Sequence, residues 1–328
     1  MRWDARCALM ILALALAATL LVGCGGNNED LLFQSISERV SYNPAGSRIA
    51  YAAFGGNELL YVYSMSSAGG GQVLLTPSDN DTDLSDEGGK MPAWAPNGSS
   101  LAIVSRRGAG QALFLMDPTV GDTVRLNKLT DDTALGADAQ PSWSSDSSKL
   151  VYVSNKGTAS GKFEIFVISS TPATPPAPTL VPITNASLAT VDKQWPVFSP
   201  DGTKIAFQSG IPNGTAVDTD IWVVDVAGGD ATNLTSPAAA NSFRDEAPSW
   251  SPDGKTIAFH TNRRAQDFDI WVMNADGSNT QALTSDFRSD GFPTFSPVVG
   301  GRIAFTRDRQ IWTMAADGSD QLQLTRWY

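Results

Sequence analysis

Short apolar runs and tight polar turns alternate along most of the chain. The segment 205–207 (Ile-Ala-Phe) is followed by 221–224 (Ile-Trp-Val-Val), and the same order recurs at 257–259 and 270–273. Runs this short, rich in β-branched and aromatic residues, predict strands rather than helices. They have no polar face, which indicates sheets that are covered on both sides. The pattern therefore predicts many short, buried β-strands.

A turn motif precedes each pair of runs and marks a repeat. Its clearest copies read Pro-Val-Phe-Ser-Pro-Asp-Gly at 196–202 and Pro-Ser-Trp-Ser-Pro-Asp-Gly at 248–254, and a short strand ending in Leu-Thr closes each unit. Proline presets one backbone angle, while Asp-Gly supplies the cap and the positive φ of a tight reversal. The aromatic residue of the motif recurs about every 50 residues, as in repeat proteins. The six markers are Tyr42, Trp94, Trp143, Phe198, Trp250 and Phe295.

Six copies of a four-stranded unit predict the fold. One small sheet cannot bury both of its faces, whereas a ring of such sheets can. The sequence thus predicts an all-β, six-bladed β-propeller of four-stranded antiparallel blades at residues 38–328. Its turn motif, its Ile-Ala-Phe and Asp-Ile-Trp-Val runs and its closing Leu-Thr resemble the TolB-type propeller family. Either segment 31–33 or segment 322–324 could fill the outermost position of the last blade.

The first 23 residues have the pattern of a cleaved signal peptide. Arg2 and Arg6 precede an apolar stretch at 8–22, which is short for a membrane span. The stretch runs into Leu21, Val22, Gly23 and Cys24. These four residues resemble the bacterial lipobox, and the resemblance implies that Cys24 carries a lipid. We therefore expect a lipoprotein signal peptide at 1–23 and a lipidated tether at 24–37.

Composition and charge exclude several classes of function. The chain has 23 basic and 34 acidic residues, and its formal net charge of -11 argues against a nucleic-acid partner. A single histidine, His260, excludes sites with several histidine ligands, and we expect it to line the propeller wall. No nucleophile elbow, phosphate-binding loop or dinucleotide motif occurs. We therefore expect a protein that is not an enzyme and requires no cofactor.

Acidic residues stand shortly before the marker aromatics in all six repeats. They are Glu38, Glu87, Asp138, Asp192, Asp245, Glu246 and Asp290. In a propeller the connections into the inner strands converge on one mouth of the channel. We therefore predict a ring of carboxylates there that attracts cations or a basic protein segment. The alternative is a set of solvated loop acids, since their offsets from the aromatic residues vary.

One loop has the spacing of a metal site. Asp79, Asp81 and Asp83 place oxygen ligands at alternate positions, as calcium loops do. Leu84 and Lys90 stand where an EF-hand has Gly and Glu, so an ordinary acidic loop is the alternative. Ca²⁺ is the candidate ion.

The family resemblance implies a protein-binding module of the bacterial envelope. The member that names the family is soluble in the periplasm, binds the peptidoglycan-associated lipoprotein and has an additional N-terminal α/β domain. Only about 14 residues separate Cys24 from the first predicted blade, so we expect no such domain here. Because Gly25 rather than Asp follows Cys24, the resemblance implies a lipid-anchored monomer at the outer membrane, facing the periplasm, with envelope proteins as partners.

A carbohydrate-binding or carbohydrate-active propeller is the second hypothesis. Related propellers occur in polysaccharide lyases and as gating domains of prolyl oligopeptidases. Carboxylate pairs for glycoside chemistry cannot be selected from the spacing of the acids.

Overall fold

The structure is a computed structural model in which β-strands are the regular elements. It describes residues 36–54, 60–76, 87–106, 109–119, 126–131, 135–158, 161–171, 178–183, 185, 188–210, 218–235, 243–264 and 267–325. Several residues of the sequence predictions lie outside these ranges, namely Leu21, Val22, Gly23, Cys24, Asp79, Asp81 and Asp83. The signal peptide, the lipidation site and the calcium loop therefore stay predictions.

The described strands form six sheets. Blades 1 and 2 contain β1 (Ile36–Tyr42), β2 (Arg48–Phe54), β3 (Leu60–Ser66), β4 (Val73–Leu74), β5 (Glu87–Trp94), β6 (Leu101–Arg106), β7 (Gln111–Met116) and β8 (Asn127–Lys128). Blades 3 and 4 contain β9 (Asp138–Trp143), β10 (Lys149–Ser154), β11 (Glu164–Ser169), β12 (Thr179–Leu180), β13 (Lys193–Phe198), β14 (Lys204–Gly210), β15 (Thr219–Asp225) and β16 (Thr232–Asn233). Blades 5 and 6 contain β17 (Asp245–Trp250), β18 (Thr256–Thr261), β19 (Asp269–Asn274), β20 (Gln281–Ala282), β21 (Asp290–Phe295), β22 (Ile303–Arg307), β23 (Gln310–Met314) and β24 (Leu322–Gln323).

Each sheet is an antiparallel meander of four consecutive strands, and the first strand of each lies innermost. The inner strands contact one another in chain order, and β1 contacts β21, so the six sheets close into a ring. The prediction of a six-bladed propeller with four-stranded antiparallel blades is confirmed.

The last blade is completed by the C-terminal segment. Strand β24 pairs with β23 at the outermost position, which settles the choice that the sequence left open. The first and last blades share no strand among the described residues. Instead they meet through side chains, and the hydroxyl of Thr294 donates a hydrogen bond to the carbonyl of Val40 over 3.2 Å.

The core lies between neighbouring blades. One cluster joins Ala102 and Leu113 of blade 2 to Trp143 and Leu150 of blade 3. In β14 the successive residues Ala206 and Phe207 are both fully buried. Both faces of this strand are therefore covered, as its apolar run predicts.

The closing threonine of the repeat has a structural role. Thr235 accepts a hydrogen bond from the backbone N–H of Ile221 at 3.0 Å and donates one to Asp220 at 3.2 Å. Thr284 makes the same pair of contacts with Ile270 and Asp269 one blade later. The Leu-Thr motif thus ties the end of each of these blades to its third strand.

Each inner strand contains an irregularity in its middle. The residue before proline has a positive φ of 50° to 57° at Met91, Gln140, Trp195, Ala247 and Phe292. This conformation is unfavourable for side chains other than glycine, and a following proline disfavours it further. The backbone N–H of the irregular residue bonds to a side chain of the neighbouring blade. Trp195 donates to Gln140, Ala247 to Gln208 and Phe292 to His260, over 2.7, 2.8 and 3.0 Å.

Candidate functional site: the two mouths of the channel

The ring has two different faces. On the first, which we call the strand-start face, the inner strands begin. Backbone hydrogen bonds join adjacent blades there, for example from Thr219 to Phe243 at 3.3 Å and from Asp290 to Phe268 at 2.7 Å. On the opposite side, which we call the turn face, the inner strands end in the Pro-Asp-Gly turns. The channel therefore has two chemically distinct mouths.

Side chains from the irregular positions meet across the channel. The guanidinium of Arg39 in blade 1 lies 5.4 Å from the ring centre of Trp195 in blade 4, and it donates a hydrogen bond to the carbonyl of Pro248 in blade 5. Trp195 also contacts Phe292 of blade 6, with ring centres 5.2 Å apart. Because these blades are not all neighbours, the contacts cross the channel between its two mouths.

Three of the predicted ring acids are buried in ion pairs at the strand-start face. Asp138 pairs with Lys156 at 2.9 Å. Nη2 of Arg263 donates to both carboxylate oxygens of Asp245 at 2.8 and 2.9 Å, whereas Nε and Nη2 of Arg307 each donate to one oxygen of Asp290, at 2.5 and 2.6 Å. The side chains of these three acids are at most 3% exposed. A buried carboxylate that stays ionised needs a cation or several hydrogen bonds, because desolvation disfavours its charge. These acids are therefore neither open carboxylates of a ring nor solvated loop acids.

The other predicted ring acids differ from these three. Asp192 is 40% exposed, accepts a backbone hydrogen bond from Phe163 at 2.9 Å and lies 3.6 Å from the amine of Lys162. The side chains of Glu38 and Glu87 lie outside the described part of the structure. Whether any of these acids binds a partner stays a prediction, but only part of the predicted ring is available for it.

Glu246 forms a small polar network with His260 and Arg244. Its carboxylate lies 3.2 Å from Nε2 of His260 and 2.8 Å from Nε of Arg244. Burial acts to raise the pKa of Glu246, but the hydrogen bonds from His260 and Arg244 and the charge of Arg244 outweigh it and hold this pKa below its usual range. The network keeps a carboxylate ionised beside the channel.

His260 lines the wall, as the sequence predicts. Its Nδ1 accepts the backbone hydrogen bond of Phe292, so Nε2 carries the proton that points to Glu246. Its ring packs edge-on against Phe268 and Phe292. Gln208, one blade earlier, supplies the same acceptor to Ala247. The histidine therefore positions the next blade.

Two further buried carboxylates are the aspartates of the Asp-Ile-Trp-Val runs. Asp220 is the second residue of β15 in blade 4 and Asp269 the first residue of β19 in blade 5, and they are 2% and 4% exposed. Burial raises the pKa of both, and for Asp269 burial together with the neighbouring charge of Asp290 raises it to about 6. Their only sequence signal is the acid before the Ile-Trp run, which resembles an ordinary strand end.

The strand-start face also carries exposed apolar side chains that the sequence analysis missed. Leu135, Phe243 and Phe287 are 82%, 37% and 90% exposed. Each stands two or three residues before the inner strand of its blade, in blades 3, 5 and 6. That shared position is the signal that could have identified them. Exposed apolar side chains at equivalent positions in three blades make this face a candidate protein-binding surface.

At the turn-face mouth a cavity of about 210 Å³ opens into the channel. The marker aromatics Trp94, Trp143, Phe198 and Trp250 contribute to its wall, together with prolines and small hydroxyl residues. Arg39 is the one charged residue among those that line it. This mouth therefore carries a single positive charge, whereas both signs of charge occur at the strand-start mouth.

Comparison with known proteins agrees with this architecture. The family model of the TolB beta propeller domain matches residues 195–327. A TolB from Agrobacterium tumefaciens has a similar structure, with 23% sequence identity and a TM-score of 0.57, over 71% of this chain and 79% of that one. The chain therefore has the fold of a TolB-like β-propeller.

Other solved structures share the TolB-like fold. TolB from Acinetobacter baumannii is 20% identical with a TM-score of 0.60, over 79% of this chain and 57% of that protein. Oligogalacturonate lyase from Vibrio parahaemolyticus is 12% identical with a TM-score of 0.56, over 92% and 80% of the two chains. No curated protein sequence matches this chain significantly. At these identities the likeness establishes the fold of the TolB-like propeller.

The described part of the TolB-like propeller contains no cluster of three or more His, Cys, Asp or Glu side chains that could hold a metal ion. A helix long and apolar enough to cross a membrane is likewise absent from the described residues.

Proposed function

We propose that the protein is a lipid-anchored, non-enzymatic module of the bacterial envelope that binds another protein at its strand-start face. The observation that carries the proposal is the trio of exposed apolar side chains at equivalent positions there, namely Leu135, Phe243 and Phe287. Burying a fully exposed side chain of this kind is favourable by about 1.5–3 kcal/mol, and Phe243, which is 37% exposed, gains correspondingly less.

The charges around these side chains favour a protein partner with a mixed surface. Arg244 and Arg288 are 42% and 36% exposed, and Asp192 is 40% exposed. Both signs of charge therefore surround the apolar side chains, as in the polar rim of a protein interface. Buried ion pairs such as Asp290 with Arg307 anchor the first residues of the inner strands that follow these loops. A rigid, preformed surface loses little entropy when it binds.

This surface is tested by recovering the proteins that bind the wild type and its variants from the envelope of the native host. Leu135→Asp combined with Phe287→Asp should remove the partner from the bound fraction, because two charged groups would replace the apolar anchors. The control is Val299→Asp, which changes a residue that is 79% exposed on the turn face. Equal recovery of all bound proteins by the three forms would overturn the proposal.

Lipid anchoring rests on the lipobox resemblance of residues 21–24 and is tested separately. Metabolic labelling with an alkyne fatty acid should tag the wild-type protein, and Cys24→Ala should abolish the tag. Cys7→Ala is the matched control, since Cys7 and Cys24 are the two cysteines of the sequence. A wild-type protein without label, or label that persists in Cys24→Ala, would contradict the anchor.

A further inference from the structure

The cavity at the turn face contains an arginine that no carboxylate neutralises. The residues that line it include Arg39 but no aspartate or glutamate. Among the described residues, Arg39 forms no ion pair, and its guanidinium makes one hydrogen bond, from Nη2 to the carbonyl of Pro248. Its Nε is buried without any partner. The arginines of the strand-start face are different, since Arg263 and Arg307 each bind a carboxylate with two hydrogen bonds.

An unpaired cation at this place is unfavourable. Burial lowers the pKa of Arg39 to about 10, because the protein interior solvates its charge less well than water does. The face of Trp195 compensates in part through a cation–π contact. A bound anion would compensate more fully, since a carboxylate matches the planar fork of a guanidinium.

Three other side chains that line the cavity, Ser41, Ser249 and Trp250, keep a hydrogen-bond donor that no described residue accepts. The hydroxyl oxygens of Ser41 and Ser249 accept hydrogen bonds from the backbone of Trp94 and Phe295, over 2.8 and 3.2 Å, which leaves their protons available to a ligand. The indole nitrogen of Trp250 is buried without a partner. The cavity therefore suits a ligand that is rich in acceptors and negatively charged.

We propose that this cavity binds the carboxylate of a compact ligand, which pairs with Arg39 while the rest of the ligand lies between the aromatic and proline side chains of the wall. Its volume of about 210 Å³ corresponds to roughly seven water molecules. That space suits one sugar acid or the C-terminal residue of a peptide. This site is independent of the proposed protein-binding surface, because it opens on the opposite face of the ring.

Titration calorimetry with matched acidic and neutral probes tests the proposal. The probes are D-glucuronate against D-glucose, and acetyl-Ala-Ala with a free carboxylate against its C-terminal amide. At least one acid should bind, its neutral counterpart should bind at least tenfold more weakly, and the acid that binds identifies the source of the carboxylate. Absence of binding by both acids, or equal binding of acid and neutral probes, would overturn the site.

Variants of the cavity test whether Arg39 binds the carboxylate of the probe. Arg39→Gln should lower the affinity for the acidic probe at least tenfold. Arg106→Gln, at an exposed position outside the channel, should leave this affinity unchanged. Because Arg39 also contacts Trp195 and Pro248, circular dichroism and the thermal midpoint verify the fold. Ser142→Leu fills the cavity without touching these contacts and should abolish binding as well. Wild-type affinity in a folded Arg39→Gln or in Ser142→Leu would contradict the proposal.

Discussion

The two faces of the ring differ in whether their buried charged side chains are paired. At the strand-start face, cations and carboxylates are buried together in pairs such as Asp245 with Arg263, and exposed apolar side chains lie above them. At the turn face, Arg39 lines a cavity without a partner, and the carboxylates are solvated caps of turns, such as Asp253. The difference teaches that the same repeated blade can pair its charged groups with one another at one mouth and leave hydrogen-bond donors without partners at the other.

The largest effect should come from breaking a buried pair of the strand-start face. Asp290→Ala leaves Arg307 buried without its main partner, so it should lower the free energy of unfolding by about 3–5 kcal/mol. Urea unfolding measures the change. The control is Asp225→Ala, which breaks the exposed pair with Lys204 and should cost no more than about 1 kcal/mol.

The double variant Asp290→Ala with Arg307→Met sharpens this prediction. Removing both charges leaves no uncompensated ion, so much of the lost stability should return. If Asp290→Ala lowers the free energy of unfolding no more than Asp225→Ala does, the buried ion pairs of the strand-start face do not stabilise the ring.

An intermediate effect should come from the contact between blades 5 and 6. His260→Leu removes the acceptor of the Phe292 N–H and should cost about 1–3 kcal/mol, because a buried donor is left unpaired. His260→Gln should cost less, since Gln208 performs the same role one blade earlier. Equal losses in both variants, measured by urea unfolding, would contradict the positioning role of His260.

The smallest effect concerns the pH dependence of Asp269. Its pKa is raised from 3.8 to about 6 in the folded protein, so the folded state binds this proton more tightly than the unfolded chain does. The contribution of Asp269 to stability is therefore greatest at low pH and is lost as the pH rises from about 4 to about 6.

Asp269→Asn removes this titration while keeping an acceptor for Thr284, much as Gln310 accepts from Thr325 at 2.9 Å in blade 6. Relative to the wild type, the variant should gain thermal stability as the pH rises from 4 to 7. A difference between the two proteins that does not change with pH would refute the raised pKa.

Local chemistry explains how much of the fold could be predicted. The Ser251–Asp253 hydrogen bond of 2.6 Å and the positive φ of Gly254 lie within one short turn, so a sequence motif records them directly. Repetition of that turn predicts the number of blades, and the apolar runs predict burial on both faces. The last strand could not be assigned, because two segments have similar patterns and only the pairing of β23 with β24 distinguishes them.

The candidate site could be predicted only in part, because it is formed by residues that are far apart in the sequence and meet in the folded ring. The three paired acids are the first residues of their inner strands rather than part of the connections before them, and their pairing with cations that follow 17 or 18 positions later was missed. The conformation of Trp195 was also missed, since its φ of 52° opposes the preference of a residue before proline. Only the assembled ring places Arg39 beside Trp195, because their blades are far apart in the chain.

Photo-cross-linking in the envelope of the native host tests the division between the two faces most directly. Benzoylphenylalanine would replace either Phe287 on the strand-start face or Val299 on the turn face, which are 90% and 79% exposed. The account predicts a discrete protein adduct from position 287 and none from position 299. Adducts only from position 299, or the same adduct from both positions, would contradict it.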